Sequence, residues 1–237
     1  MIGEIWQLYL YQPLFNLLIW IYNNWTNQNL GWAVIYLTIL LRIVLLPFTL
    51  VTEKTKINNK ALEDEITRLD RELHNDPILK KEEIRKVLRK RKIRPWARAV
   101  VIVVLVLTFL LLYQVFLRGI TGEKILQLLY PTVDFPGRIN INFYGFDLGQ
   151  RHTYFWPGLV GLLLLSEIYL ELKSRRNIQR SDLFYFIFFP FATFLFLWWL
   201  PMVKSLFILT SLLFSHIIHF VSLFFFAPKK PKPVAHH

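Results

Sequence analysis

The chain has 237 residues, of which 54% are hydrophobic and 16% aromatic, and 28 Lys and Arg against 16 Asp and Glu give a net charge of +12. The charges are concentrated between long apolar stretches, which excludes an ordinary soluble core and is typical of a polytopic membrane protein. No cysteine is present, so disulfides, cysteine metal sites and thiol nucleophiles are excluded.

The first segment, residues 1–27, mixes apolar side chains with Asn, Gln, Trp and Tyr. Trp and Tyr favour the level of the lipid headgroups, and Pro13 interrupts the apolar run, so we predict an amphipathic helix lying in the outer interface. A tilted or kinked membrane span is the alternative. No basic segment precedes the first apolar stretch, and we therefore expect no cleavable signal peptide.

Apolar stretches of membrane-spanning length predict five transmembrane helices, which cover residues 28–51, 98–117, 155–172, 183–200 and 203–227. The fourth and fifth are joined by a very short turn at Pro201, so we expect them to be antiparallel neighbours. The predicted fold class is therefore an all-α polytopic membrane protein with five transmembrane helices, an N-terminal interfacial helix and a cytoplasmic helical hairpin.

The predicted hairpin, residues 52–97, is the largest element between two spans, and its helical pattern breaks at residues 74–77. Residues 52–76 contain five basic and seven acidic side chains, whereas residues 77–97 contain nine basic and two acidic ones. The opposed charges can hold the arms together and leave a basic surface for anionic lipid or ribosomal RNA. A solvated hairpin that merely links two spans is the alternative. The candidate contact residues are Lys80, Lys81, Arg89, Lys90, Arg91, Lys92 and Arg94.

Three further segments complete the predicted chain. Residues 118–154 form an outside loop, with a short amphipathic helix at about 121–130 followed by irregular structure. Residues 173–182 form a cytoplasmic loop, and residues 228–237 form a disordered basic tail. The positive-inside rule orients these elements, because an outside N-terminus and a cytoplasmic C-terminus place the three most basic segments on the same face.

Arg42 is the single charge in the first predicted span, eleven residues from Gly31 and eleven from Glu53. At 1.5 Å per residue its guanidinium lies roughly 16 Å from either end, near the bilayer midplane. A charge at that depth costs at least about 2.5 kcal/mol, so an intramembrane site is the first hypothesis. Snorkelling to the inner interface and a structural ion pair with Glu167 are the alternatives.

Polar residues on the predicted spans are candidates to form a hydrophilic groove with Arg42. Thr38 lies four residues before Arg42 and therefore on the same helix face. The other candidates lie in the second, third and fifth spans, and which of them converge is left open. They are Gln114, Glu167, Ser211 and Ser215.

Catalysis has little support in this sequence. No zinc-protease, phosphate-loop or nucleophile-elbow motif occurs. Ser211, Ser215 and His219 share one helix face, but such a polar stripe more often packs against a neighbouring helix or lines a wet cavity. We therefore expect a protein that is not an enzyme and that needs no metal or cofactor.

Five segments in chain order carry a likeness to a known family: 11–22 (YQPLFNLLIWIY), 41–47 (LRIVLLP), 112–119 (LYQVFLRG), 143–148 (FYGFDL) and 189–201, which ends on the turn proline. By these segments the chain resembles the YidC/Oxa/Alb family of membrane protein insertases. They correspond to its interfacial helix, its first span with the groove arginine, the end of its second span, its outside loop, and its fourth span with the following turn. The likeness covers nearly the whole chain.

The resemblance implies an insertase in a bacterial cytoplasmic (inner) membrane, with a groove open to cytoplasm and lipid but closed outside. Arg42 and Thr38 match the family's groove arginine and threonine, and Ser211 falls where the fifth span has a serine. The implied clients are nascent membrane proteins, received by the hairpin. Ribosome, Sec translocon, signal recognition machinery and membrane lipids are further implied partners, and no nucleic-acid sequence is read.

Several positions depart from the family pattern. Leu105 stands where a glutamine is common, Phe207 and Ile208 stand where aromatic hydroxyls are frequent, and Leu212 replaces an asparagine. Lys204 is unusual in the fifth span. The groove is therefore expected to be drier than in the family pattern.

Two functions of other classes compete with insertion. One is a small-molecule transporter or channel that uses Arg42 as an anion site, although the internal repeat common in transporters is not visible. The other is a scaffold whose hairpin recruits a soluble partner.

Overall fold

The computed structural model describes residues 6–73, 77–89, 95–117, 128–137, 139–173 and 180–226. In these residues the fold is helical apart from one two-stranded sheet. A π-helical turn, Trp6–Tyr11, leads into α1. The elements are α1 Gln12–Trp25, α2 Leu30–Val44, α3 Leu46–Glu72, α4 Pro77–Arg89, α5 Pro95–Leu117, β1 Asn142–Phe143, β2 Phe146–Asp147, α6 Phe155–Lys173, α7 Arg180–Trp199 and α8 Met202–Phe226.

Two described helices are long and apolar enough to cross a membrane, Asp182–Trp199 within α7 and Met202–Phe226. Leu30–Val44 and Leu46–Asn59 make a third candidate if this broken pair is one span. Ala99–Leu110 and Phe155–Leu170 are shorter apolar helices in the second and third predicted spans. The fold class is therefore that of a helical membrane protein with two or three candidate spans.

The helix predicted over residues 28–51 is interrupted at Leu45. Pro47 lacks an N–H donor, and in a continuous helix its ring would clash with the carbonyl of Ile43. In the first turn of α3 the same residue is favourable, because that position needs no intrahelical donor. Helix α3 consequently begins before the predicted end of the span and continues through the first arm of the predicted hairpin.

Contacts divide the chain into two compact units, residues 1–43 with 105–214, and residues 44–104 with 215–237. We call these the first unit and the second unit. The core of the first unit combines one face of α1 with residues of α2, the 139–148 segment and the start of α8. Its fully buried members include Leu18, Ile21, Leu30, Val34, Leu148 and Val203.

Polar residues of α1 hold the loop that precedes the sheet. The buried Asn16 amide donates to the Leu128 carbonyl at 2.9 Å, and its oxygen accepts the Tyr130 N–H at 2.7 Å. The Tyr22 hydroxyl accepts the Asn140 N–H at 2.8 Å. Trp20 and Trp25 of the same helix are exposed. The polar residues that favour an interfacial helix in the sequence thus serve as internal anchors for the loop.

A β-hairpin occupies part of the segment predicted as irregular loop. Asn142 pairs with Asp147, and Phe143 pairs with Phe146. The two turn residues, Tyr144 and Gly145, have φ of 49° and 83°, as a two-residue hairpin turn with left-handed central residues requires. The expectation of irregular structure was wrong here, because tyrosine rarely takes the first turn position. The predicted helix at about 121–130 lies mostly outside the described residues.

The second unit contains the two helices of the segment predicted as a hairpin. Helices α3 and α4 pack on each other, with Ile57 and Val87 buried. The Lys80 amine lies 2.6 Å from the Asp70 carboxylate, an ion pair of the kind that opposed charge on the two arms predicts. As both side chains retain exposure, the pair adds at most about 1 kcal/mol to stability.

Candidate functional site

Arg42 is buried near the end of α2, with only 5% of its surface exposed. Its Nε donates to the Ser211 hydroxyl oxygen of α8 at 2.9 Å, and its Nη2 donates to the same oxygen. Ser211 is equally buried. A guanidinium has five N–H donors, so these described contacts use only two of them. The site is therefore a buried cation oriented by a neutral hydroxyl.

The other polar groove candidates of the first unit are arranged differently. The buried Thr38 hydroxyl donates to the Val34 carbonyl at 2.6 Å, so its hydrogen is used within α2. Glu167 is half-buried on α6. Within the described residues, the guanidinium of Arg42 pairs with Ser211 and not with Glu167. The ion-pair alternative is therefore not the arrangement in this structure.

Two further candidates stand apart from this pair. Ser215 is half-buried one turn beyond Ser211 on α8, and it belongs to the second unit. Gln114 lies on α5, and its side chain is outside the described residues. The structure thus brings together Arg42 and Ser211, and the groove that the remaining candidates would complete stays a prediction.

A second polar contact, inside the second unit, links α3 to α8. His219 Nδ1 lies 2.6 Å from Glu53 Oε2. The neighbouring Lys54 amine lies 5.4 Å from the centre of the Phe226 ring. The sequence did not predict this link, because 166 residues separate Glu53 from His219. Each side chain by itself indicates only the polar end of a predicted span.

The predicted basic surface of the hairpin is only partly described. Lys81 and Arg89 are exposed on α4, whereas Lys80 is half-buried and paired with Asp70. The hydrogen bond from Lys86 to Glu83, reinforced by the negative charge of that carboxylate, raises the pKa of Lys86 above its ordinary value. The remaining predicted residues lie outside the described residues: Lys90, Arg91, Lys92 and Arg94.

An open cavity of about 650 Å³ lies against α4, lined by Lys80, Lys81, Ile84, Arg85 and Leu88 with Pro77. Its lining combines cations with apolar side chains. Such a surface suits an anionic partner that also carries an apolar portion.

Apolar helices long enough to cross a membrane define the class of this protein, the helical membrane proteins. Comparison with known proteins then gives the family. A family model described as 60Kd inner membrane protein matches residues 20–226. The chain belongs to this family, which confirms the family predicted from the sequence.

Curated relatives carry the name membrane protein insertase YidC. The relative from Aromatoleum aromaticum is 26% identical over 201 residues, which are 82% of this chain and 34% of that protein. The relative from Thioalkalivibrio sulfidiphilus is 26% identical over 191 residues, covering 77% of this chain and 31% of that protein. The chain thus spans about a third of the length of these relatives.

A shorter relative of the same name comes from Clostridium tetani. It is 26% identical over 102 residues, which are 42% of this chain and 46% of that protein. Family membership and apolar helices together indicate a membrane location.

Proposed function

We propose that the protein is a membrane protein insertase, which receives nascent membrane proteins in a polar intramembrane groove and releases them into lipid. The observation that carries this proposal is the buried Arg42, held by Ser211 and by no described carboxylate. An internal cation that keeps its charge and spare N–H donors can attract an acidic or polar client tail. The names of the curated relatives support the same function.

The groove would act by lowering the barrier for the client's polar tail. A polar tail crossing hydrocarbon must shed its water, whereas Arg42 offers hydrogen bonds and charge at depth. The client's apolar segment moves into lipid at the same time, and this burial of about 20 apolar residues supplies the driving force. For an acidic tail moving outward, a membrane potential adds about 2.3 kcal/mol per charge per 100 mV. No nucleotide is required.

The proposed topology has five spans, α1 in the outer interface, and the α3–α4 hairpin with the C-terminus in the cytoplasm. The distribution of Lys and Arg supports it. Because the chain lacks cysteine, single introduced cysteines report each face. We expect Lys81→Cys to react with an impermeant maleimide only after the cytoplasmic face is opened, and Thr132→Cys to react in intact cells. The reverse pattern would contradict the orientation.

The proposed partners follow from the surfaces. Nascent membrane proteins are the clients, and the basic hairpin is proposed to receive them at the lipid surface or from the ribosome. The exposed Lys81 and Arg89 supply positive charge for either contact. The Sec translocon and the signal recognition machinery are proposed as further partners on the family resemblance alone.

Reconstitution tests the function directly. The purified chain is placed in vesicles of defined lipid with a short client that has one apolar segment and an acidic outer tail. We expect protease-protected client to exceed that in protein-free vesicles several-fold. Anion flux without insertion would instead support a transporter or channel, and neither activity would support a scaffold.

A further inference from the structure

Lys204 is a second buried cation of the first unit, with 0% of its surface exposed. It lies in the first turn of α8, and its amine is 5.6 Å from the centre of the Phe109 ring of α5. Phe109 in turn stacks on Phe196 of α7, with ring centres 6.3 Å apart. The buried amine therefore lies near an aromatic ring that is itself stacked on α7, and a cation interacts favourably with an aromatic face.

The surroundings of Lys204 make its positive charge costly. The N-terminus of a helix already carries partial positive charge, so a cation in the first turn of α8 is unfavourable. Arg151 adds repulsion from the preceding loop, which approaches α8 where the Met202 N–H donates to the Gln150 carbonyl at 3.0 Å. Next in the chain, the fully buried Ser205 hydroxyl has no hydrogen-bond partner among the described residues.

A methionine or leucine at position 204 would avoid these costs. Ionisable residues inside membrane helices are rarely retained without a functional reason, and positions that break a local rule tend to be functional or strained. Lys204 is therefore a candidate functional residue on grounds that do not depend on Arg42.

The position of Lys204 relates it to the proposed groove. Lys204 and Ser211 are seven residues apart on α8, close to two full turns, so both lie on one face of the helix about 10 Å apart along its axis. Ser211 is the partner of Arg42. Lys204 and the serine that binds Arg42 thus lie on one face of α8, about two turns apart.

We propose that Lys204 determines client specificity, by favouring client tails that are acidic and opposing tails that are basic as they pass the outer end of the groove. The proposal rests on the insertase function and goes beyond it, since it assigns charge selection to a residue away from the Arg42 pair. The effect acts through the field of the buried charge and requires no direct contact, because the burial of Lys204 limits screening by water.

The expected magnitude is moderate. Two unit charges about 10 Å apart in a medium of effective dielectric constant about 20 interact strongly enough to change a rate several-fold to about tenfold per tail charge. The influence on a neutral tail should be small.

The test uses the full chain in sealed vesicles and three clients that differ only in the tail, which carries two Asp, two Lys or two Asn residues. In Lys204→Met we expect the ratio of acidic to basic client insertion to fall several-fold relative to the unaltered protein. Insertion of the Asn client should be unchanged. Lys204→Arg keeps the charge and should keep the ratio. Arg151→Gln removes an exposed, water-screened charge and should change the ratio less.

Two results would overturn the specificity role while leaving the insertase function intact. In one, Lys204→Met and Lys204→Arg both insert all clients with the unaltered ratio. In the other, Lys204→Met lowers insertion of all three clients equally, which is the signature of a structural role. Melting temperatures of both variants accompany the assay, because they separate a loss of insertion from a loss of folded protein. Failure of the unaltered protein to insert any client would overturn both proposals.

Discussion

Replacing Arg42 with alanine is expected to reduce insertion of a client with an acidic outer tail by about tenfold, while leaving the protein folded. At 4 Å and an effective dielectric constant near 20, the attraction between the guanidinium and a client carboxylate is about 4 kcal/mol, and desolvation cancels much of it. The remainder corresponds to roughly one order of magnitude in rate. Protease protection of radiolabelled client in vesicles measures the change.

Two variants separate charge from packing in this experiment. Arg42→Lys keeps the charge and should retain most of the activity, whereas Ser211→Ala keeps the arginine and removes only the hydroxyl to which it donates. We therefore expect a smaller loss in Ser211→Ala than in Arg42→Ala. Equal insertion of the acidic client by Arg42→Ala and the unaltered protein would rule out an essential charge at this position.

Replacing Gly31 with alanine is expected to destabilise the first unit by about 3 kcal/mol, the upper part of the range for overpacking. An added Cβ would lie 2.2 Å from Phe143 Cδ2, 2.4 Å from its Cγ and 2.9 Å from its Cβ. The Phe143 ring cannot simply turn aside, because it packs against Trp32 and Trp156 at 5.8 Å in each case. Denaturant-induced unfolding in detergent micelles measures the loss.

Gly158 provides the matched control for this substitution. It is also a helical glycine, on α6, and an added Cβ there meets no atom within 4 Å. Gly158→Ala should therefore be neutral or stabilising by up to about 1 kcal/mol. Combining Gly31→Ala with Phe143→Leu should recover part of the lost stability, since the clash lies between these two side chains. Equal stability of Gly31→Ala and Gly158→Ala would contradict this prediction. It would show that the 139–148 segment moves to accommodate the added methyl group without a loss of folding free energy.

The sequence predicted the helical class and the buried arginine because both depend on local information. A lone charge midway along an apolar run marks Arg42 regardless of what surrounds it. Its partner depends on three-dimensional packing. The sequence left open which groove candidates converge on Arg42, with an ion pair to Glu167 as one alternative. The two hydroxyl groups of the predicted groove in the first unit also differ in role, since Thr38 donates within its own helix and Ser211 accepts from Arg42.

Other features depended on contacts that no local pattern encodes. The β-hairpin requires Tyr144 to adopt a left-handed conformation that its residue type disfavours. The internal bonding of Asn16 and the contact between Glu53 and His219 join residues more than a hundred positions apart. The burial of Lys204 and its contact with Phe109 likewise depend on tertiary packing, whereas its sequence neighbours identify it only as an unusual cation in a predicted span.

Helix α3 runs from Leu46 to Glu72 without interruption and is therefore about 40 Å long. Its first residues belong to the broken pair of helices that is the third candidate span, and its last residues form the first arm of the predicted hairpin. A continuous α-helix transmits rotation along its axis, because every turn is hydrogen-bonded to the next. Tilting of the first arm of the predicted hairpin must consequently reorient the turn that contains Pro47.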